Sequence, residues 1–278
     1  MTWIGVLIAL IGALGYALGA ALQQREAVTA GATLALVRRP RWWLGGVAGL
    51  SGACLHGLAL CLAPLVAVQP VSVATLVFAV PLAAMLHGRR PRPAELAGSV
   101  AVAIGLLGLI LLIPVSGDTP ELTDAGAVGL LAGVGVIVAV TSAAARRMRG
   151  PIAAVLTAVG AGAVIATVST FARAVGGHVL TDPKSALHWF TFVIPVLLVW
   201  AFVLLQRSYA LGYFGIAYAS VQVVDLLLSV AAGAFLLGET LPTGWGRAIP
   251  ALLAGALLVG GTITLARLAP DRSGAAAV

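Results

Sequence analysis

The sequence predicts an all-α membrane protein, a polytopic bundle of about nine transmembrane helices, and three observations support this prediction. Of the 278 residues, 61% are hydrophobic and only 9% are charged, whereas a soluble domain carries about 25% charged residues. Apolar runs of about 20 residues recur along the chain, and each is long enough to cross a hydrocarbon core about 30 Å thick. Because the runs are continuous rather than alternating, helices are expected to pair the backbone groups within the lipid.

Nine apolar runs are expected to span the membrane, with no soluble domain between them. They cover residues 3–22, 42–63, 66–87, 94–115, 125–145, 151–175, 189–209, 213–237 and 246–267. The first run has no basic start and is expected to be a retained helix rather than a signal peptide. Residues 27–37 are too few to span, so they are expected to lie along the interface or to form a half-helix. A tenth span results only if they cross.

The arginines alternate between the loops and predict the topology. The loops after spans 1, 3, 5 and 7, together with the C-terminal end, hold most of the 16 Lys and Arg residues. By the positive-inside rule these segments face the cytoplasm, so the N-terminus is expected outside and the C-terminus inside, in the cell inner membrane. The net charge of +7 is therefore interpreted as a topology signal. Membrane lipids are the expected partners, and nucleic acid is not.

Two stretches of the sequence, residues 59–88 and 208–239, look alike. Each begins with a short turn after one span and continues as a span rich in small residues. The expected topology places the loop after the first stretch inside and the loop after the second outside. One transmembrane domain, 1–278, is therefore expected to contain inverted halves, 1–116 and 125–268, before a short cytoplasmic tail, 269–278. Inverted halves that meet around a midplane site are typical of transporters.

Several motifs resemble the drug/metabolite transporter superfamily, of the EamA-like kind. The second half carries LLGE (Leu236–Glu239) before a Gly-rich last span, and the first half carries LQQREA (Leu22–Ala27), RPRWWLGG (Arg39–Gly46) and LAPLVAVQPVSV (Leu62–Val73). These first-half motifs are similar to the magnesium-transporter-like branch. The resemblance implies the fold and nine spans rather than a substrate. The chain has no acidic residue near the end of span 2, where His56 lies instead, and this departure counts against magnesium.

Asp225, at the middle of span 8, is the first candidate site residue. A carboxylate at that depth costs about 2.5–3.5 kcal/mol to insert, and such groups usually face a bundle interior or a water-filled cavity. Tyr218, Gln222 and Ser229 share its stripe at helical spacing. The stripe is expected to bind a substrate, a proton, a cation or an amine. The alternative is a protonated Asp225 that is hydrogen-bonded to a neighbouring helix.

Two further candidates for substrate or ion binding lie in the first half. His56 in span 2 is either a protonation switch near neutral pH or a hydrogen-bonding group between helices. Gln69 opens span 3 beside Pro70, and a proline can leave backbone carbonyls free to meet a solute. The proline within the same span, Pro81, is expected to produce a packing kink.

A set of polar residues at the cytoplasmic ends of spans 1 and 7 is expected either to gate the pathway and contact an anion or simply to anchor the helix ends. The set consists of Gln23, Gln24, Arg25, Gln206 and Arg207. No second His, Cys or carboxylate stands at metal-ligand spacing from His56, so no metal site is expected, and no cofactor is expected. The pairs Gly15/Gly19, Gly45/Gly49 and Gly129/Gly133 are expected to let helices pack closely.

Four classes of function are compatible with a polytopic bundle. The first is a secondary transporter that moves a small solute (a metabolite, an amine or a cation) by alternating access, as a monomer or a homodimer. The second is a flippase for a lipid-linked carrier of the polyprenyl-phosphate type, in which Gln24, Arg25 and Arg207 would contact the phosphate. A non-transporting scaffold subunit is the third. A membrane enzyme is set aside, because no nucleophile with a base, paired acids or metal cluster is found, and no catalytic residue is assigned.

Overall fold

In a computed structural model, the described residues are 2–62, 65–112, 122–179, 187–237 and 245–268. Within these ranges the chain forms helices and turns, without a strand. The α-helices are α1 (Thr2–Ala30), α2 (Pro40–Leu62), α3 (Leu65–Leu86), α4 (Pro93–Leu112), α5 (Asp124–Arg147), α6 (Gly150–Val179), α7 (Trp189–Ala210), α8 (Phe214–Leu236) and α9 (Trp245–Ala266). The all-α prediction is confirmed for this part of the chain, and each predicted span matches one of these helices.

Five of the described helical stretches are long and apolar enough to cross a membrane. They are Leu7–Ala30, Asp124–Arg147, Gly150–Ala172, Trp189–Ala210 and Phe214–Leu236. Their mean hydropathy lies between 1.5 and 2.2, so side chains of this character are stable against lipid. Shorter apolar stretches occupy parts of α3, α4 and α9.

Helix α1 is longer than the sequence predicted. Its expected end was residue 22, but the helix continues through Gln23 and Gln24 to Ala30. Ala, Gln, Arg and Glu are good helix formers, so polar side chains end an apolar run without ending the helix. Gly31, with a φ of +69°, ends it as glycine commonly does. The segment 27–37 therefore completes α1 and enters a 3₁₀ helix, Leu34–Arg38.

The chain divides into two compact units, which are described separately. The first comprises Met1–Leu112, Gln206–Ala219 and Gly244–Val278, and the second comprises Ile113–Leu205 and Ser220–Thr243. The division falls inside α7 and inside α8, so each of these helices contributes residues to both units.

In the first unit, α1 packs on α2 and α3, while α4 packs on α3 and α9. Glycines bring α1 and α2 together: a Cβ at Gly19 would lie 2.7 Å from the carbonyl oxygen of Gly45 and 2.8 Å from the backbone nitrogen of Gly49. A Cβ at Gly105 of α4 would likewise lie 2.7 Å from the carbonyl oxygen of Ala254 in α9. The predicted close packing is thus confirmed for Gly15, Gly19 and Gly45, whereas Gly49 meets α1 only through its backbone, because a Cβ at Gly49 would meet no atom within 4 Å.

In the second unit, α5 packs on α6, and α6 approaches α8 through Gly162. A Cβ at Gly162 would lie 2.9 Å from the carbonyl oxygen of Val221. The prediction that Gly129 and Gly133 form a packing pair is wrong, because a Cβ at either position would meet no atom within 4 Å. Both glycines are exposed, so no described helix of this unit packs directly against them.

Candidate functional site

A buried amide cluster lies in the first unit, where three helices meet. Gln23 of α1 and Gln206 of α7 are 8% and 4% exposed. The Gln206 Nε2 donates to Gln23 Oε1 at 3.1 Å, and the indole Nε1 of Trp42 in α2 donates to Gln206 Oε1 at 3.4 Å. The two glutamines that the sequence placed at the ends of separate spans are therefore in direct contact.

Gln24 extends this cluster toward α3. Its side chain is completely buried, and its Oε1 lies 2.8 Å from Nε2 of His87, which follows α3. Among the described residues, the Gln24 Nε2 has no hydrogen-bond partner. An unpaired buried donor costs about 1–3 kcal/mol, so a hydrogen-bond acceptor placed at this amide would be stabilising.

Tyrosines continue the polar lining of the same unit. Tyr209 stands one turn after Gln206 on α7 and is completely buried, and its hydroxyl has no partner within the described ranges. Its ring packs edge-on against Phe214, 5.3 Å between centroids, and Phe214 stacks on Tyr218 at 5.4 Å. Tyr218 is half-buried. Polar groups of α1, α7 and α8 thus line the interior of this unit.

The predicted cationic members of the gate lie outside this buried cluster. Arg207 is exposed and Arg25 is half-buried. A neighbouring acid, Glu26, is 6% exposed and receives a hydrogen bond of 2.9 Å from Nη1 of Arg39, which forms an ion pair. Neither of the two predicted arginines therefore belongs to the buried cluster.

The predicted stripe around Asp225 is a second polar feature. Asp225 and Gln222 are half-buried in the part of α8 that belongs to the second unit. Ser229 Oγ donates to Asp225 Oδ1 at 3.2 Å, across one turn of the same helix. Tyr218 lies in the part of α8 that belongs to the first unit. The four residues have the predicted helical spacing. The hydrogen bond between Ser229 and Asp225 joins two residues of α8 and does not reach another helix.

The two remaining predicted residues are His56 and Gln69. His56 is half-buried in α2. Gln69 lies within α3, but its side chain is outside the described part of the structure. In the described ranges, no three His, Cys, Asp or Glu residues come together at separations that would hold a metal ion.

The sequence interpretation missed three members of the cluster. Trp42 was assigned to no site, although it contacts Gln206 directly. Tyr209 could have been found from its position three residues after Gln206, since residues at that spacing share a helix face. His87 carried no local signal, because it stands 63 residues from Gln24 and only the packing of α1 on α3 brings the two together.

Comparison with known proteins gives one informative similarity. An uncharacterized protein of Corynebacterium glutamicum is 32% identical to the chain over 144 residues, which cover 48% of this chain and 50% of the relative. The chain thus spans about half the length of the curated relative that it matches. No family model matches the chain, and no solved structure matches it significantly. The likeness to the drug/metabolite transporter superfamily therefore stays a prediction from motifs.

Proposed function

We propose that the chain is a secondary transporter, which moves a small solute across the cytoplasmic membrane by alternating access. The observation that supports this most is the amide cluster of Gln23, Gln24 and Gln206, whose exposed fractions are 8%, 0% and 4%. Burying an amide among apolar helices costs free energy unless it is hydrogen-bonded, and the Gln24 Nε2 has no partner among the described residues, so a polar ligand that accepts from it would offset this cost. The proposal includes the predicted topology, with nine spans, an N-terminus outside the cell and two inverted halves.

The chemistry of the cluster favours an uncharged or cationic solute with a hydrogen-bond acceptor. Among the described residues, Gln24 offers an unpaired N–H donor, and Tyr209 offers a hydroxyl that both donates and accepts. Among the described residues, the buried polar groups include Glu26 and Glu95 but no Lys or Arg. Asp225 is an independent candidate for a coupling proton or cation, because intramembrane carboxylates commonly have that role.

The flippase alternative requires cations that contact a lipid phosphate. Arg207 is exposed and Arg39 is paired with Glu26, so neither is held in the buried cluster. Exposed arginines at a membrane surface also attract anionic headgroups without any transport function. The position of the buried amides therefore favours a water-soluble solute over a lipid phosphate.

Thermal unfolding of the purified chain in a panel of probes tests this proposal. The probes are magnesium, a polyamine, amino acids, sugars and undecaprenyl phosphate, and a bound ligand raises the unfolding midpoint by mass action. We expect a water-soluble probe to stabilise the wild type and Gln222→Leu but not Gln24→Leu, and to be taken up by proteoliposomes that contain the wild type. Gln222→Leu is the matched control, since it removes the same amide from outside the cluster.

Other outcomes of the same experiment argue against this assignment. If the probe no longer stabilises Gln222→Leu and Asp225→Asn but still stabilises Gln24→Leu, the binding site lies in the α8 stripe. Stabilisation by undecaprenyl phosphate alone, equal in all variants, would favour the flippase and contradict the transport of a water-soluble solute.

A further inference from the structure

Trp42 fixes the direction of the hydrogen bonds in the amide cluster. An indole N–H can only donate, and Nε1 of Trp42 donates to Gln206 Oε1 at 3.4 Å. Because its oxygen faces Trp42, Gln206 presents its nitrogen to Gln23, and this nitrogen donates to Gln23 Oε1 at 3.1 Å. An inverted Gln206 amide would place its nitrogen against the indole N–H, donor against donor. The hydrogen bonds therefore run in one direction, from Trp42 through Gln206 to Gln23.

The direction of these bonds leaves the nitrogen of Gln23 for another partner. The Gln23 Oε1 is occupied by Gln206, whereas an amide nitrogen carries two hydrogens that can donate. A Cβ at Gly46 of α2 would lie 3.9 Å from the Gln23 Nε2, and apart from α2 itself no other described atom would lie within 4 Å of that Cβ. Gly46 is half-buried, so it leaves an accessible open space beside an N–H donor.

The chemistry of this open space favours a neutral hydrogen-bond acceptor. Gln24 presents a second donor, because its Oε1 contacts His87 while its Nε2 has no partner within the described ranges. The buried polar residues of the described chain include no Lys or Arg, and a buried anion without a cation costs a large free energy. A carbonyl oxygen has two lone pairs, no hydrogen and no net charge, so it satisfies the donor without that cost.

We propose that Gln23 Nε2, at the open space beside Gly46, recognises a carbonyl oxygen of the solute, and that Trp42 is the positioning residue that keeps this end of Gln23 a donor. The inference rests on the transporter proposal and names the chemical group that its amide cluster selects. Trp42 acts through Gln206 and does not touch the solute. Without the indole N–H, the Gln206 and Gln23 amides can both turn over, and Gln23 then presents an oxygen that selects donors.

The test observes the side-chain amide of Gln23 by NMR in the full chain, with isotope-labelled glutamine and in detergent. The Gln23 signal is identified by its loss in Gln23→Leu. The probes are N,N-dimethylacetamide, which has a carbonyl oxygen and no N–H, and tert-butylammonium, which only donates. Gly46→Ala fills the open space at an ordinary contact distance, 3.9 Å from Nε2. Gly49→Ala is the matched control, because a Cβ there meets no atom within 4 Å.

A second pair of variants tests the positioning role of Trp42. Trp42→Phe removes the indole N–H that donates to Gln206. The matched control is Trp43→Phe, which removes an indole N–H that donates to the Val37 carbonyl oxygen at 2.8 Å, outside the cluster. A merely structural role of Trp42 would change stability but not the preference between the two probes.

We expect N,N-dimethylacetamide, and not tert-butylammonium, to shift the Gln23 signal in the wild type and in both controls. Gly46→Ala should weaken the binding of N,N-dimethylacetamide about tenfold, which corresponds to one hydrogen bond. Trp42→Phe should weaken it as well and should let tert-butylammonium shift the signal. An unchanged response in Gly46→Ala, an unchanged preference in folded Trp42→Phe, or a wild type that responds to neither probe would overturn the proposal. Gly46→Ala decides the outcome if Trp42→Phe fails to fold.

Uptake into proteoliposomes separates this inference from transport itself. A wild type that shows the expected Gln23 shift but takes up no solute supports the recognition of a carbonyl and contradicts the transport function. Solute uptake that is equal in the wild type and in Gly46→Ala supports transport and overturns the recognition of a carbonyl at Gln23.

Discussion

Replacing Gly19 by alanine tests how α1 and α2 are held together. The added Cβ would lie 2.7 Å from the Gly45 carbonyl oxygen and 2.8 Å from the Gly49 nitrogen. Both atoms belong to the backbone, so no side chain can rotate away and the two helices must separate. Gly49→Ala is the matched control, because a Cβ at Gly49 meets no atom within 4 Å. Both variants gain the same helix propensity, about 1 kcal/mol, so their difference isolates the clash.

The expected difference follows from the cost of overpacking. Inserting a methyl group into a filled contact typically destabilises a protein by about 1–3 kcal/mol. At about 2–4 °C for each kcal/mol in a chain of this size, Gly19→Ala should unfold about 2–12 °C below Gly49→Ala. Tryptophan fluorescence on heating, in one detergent and at one protein concentration, measures both midpoints.

The same displacement should reach the amide cluster. Gln23 follows Gly19 by one helical turn, and a Cβ at Gly45 would lie 2.9 Å from the Gln23 Cγ, so both α1 residues meet α2 at Gly45. Moving α1 away from α2 therefore displaces Gln23, which accepts the hydrogen bond of Gln206. An unfolding midpoint of Gly19→Ala equal to or above that of Gly49→Ala would refute this account of the contact.

Two further substitutions probe polar contacts of the first unit. Gln206→Leu removes the donor to the buried Gln23 Oε1 and should cost about 1–3 kcal/mol, measured by chemical denaturation. Gln206→Glu keeps the shape but replaces the amide donor with a carboxylate, which only accepts, so it should lose at least as much stability; a fully stable Gln206→Glu would contradict the importance of this hydrogen bond. Arg89 pairs through both terminal nitrogens with Glu95, at 2.7 and 2.6 Å, and Glu95 is 6% exposed. Arg89→Met should therefore destabilise by about 3–5 kcal/mol, and adding Glu95→Leu should restore part of the stability. A single variant as stable as the wild type would contradict the importance of this ion pair.

The class of the protein and the positions of its helices could be predicted from the sequence. Hydrophobic content and run length are local properties, and a segment of about 20 apolar residues in lipid must pair its own backbone groups as a helix. The end of α1 was missed because polarity marks where an apolar run ends, whereas backbone conformation decides where a helix ends. Gly31 was the residue that indicated where the helix ends.

Only the tertiary structure decided which polar groups meet. Gln23 and Gln206 are 183 residues apart, and Gln24 and His87 are 63 residues apart, so their contacts depend on how α1, α3 and α7 pack. The same holds for glycine: Gly19 and Gly133 belong to the same kind of sequence pair, yet a Cβ at Gly19 would touch a neighbouring backbone and a Cβ at Gly133 would meet no atom within 4 Å. Spacing along one helix determines which residues share a face, but the face becomes a contact, a site or a lipid surface only through the helices packed against it.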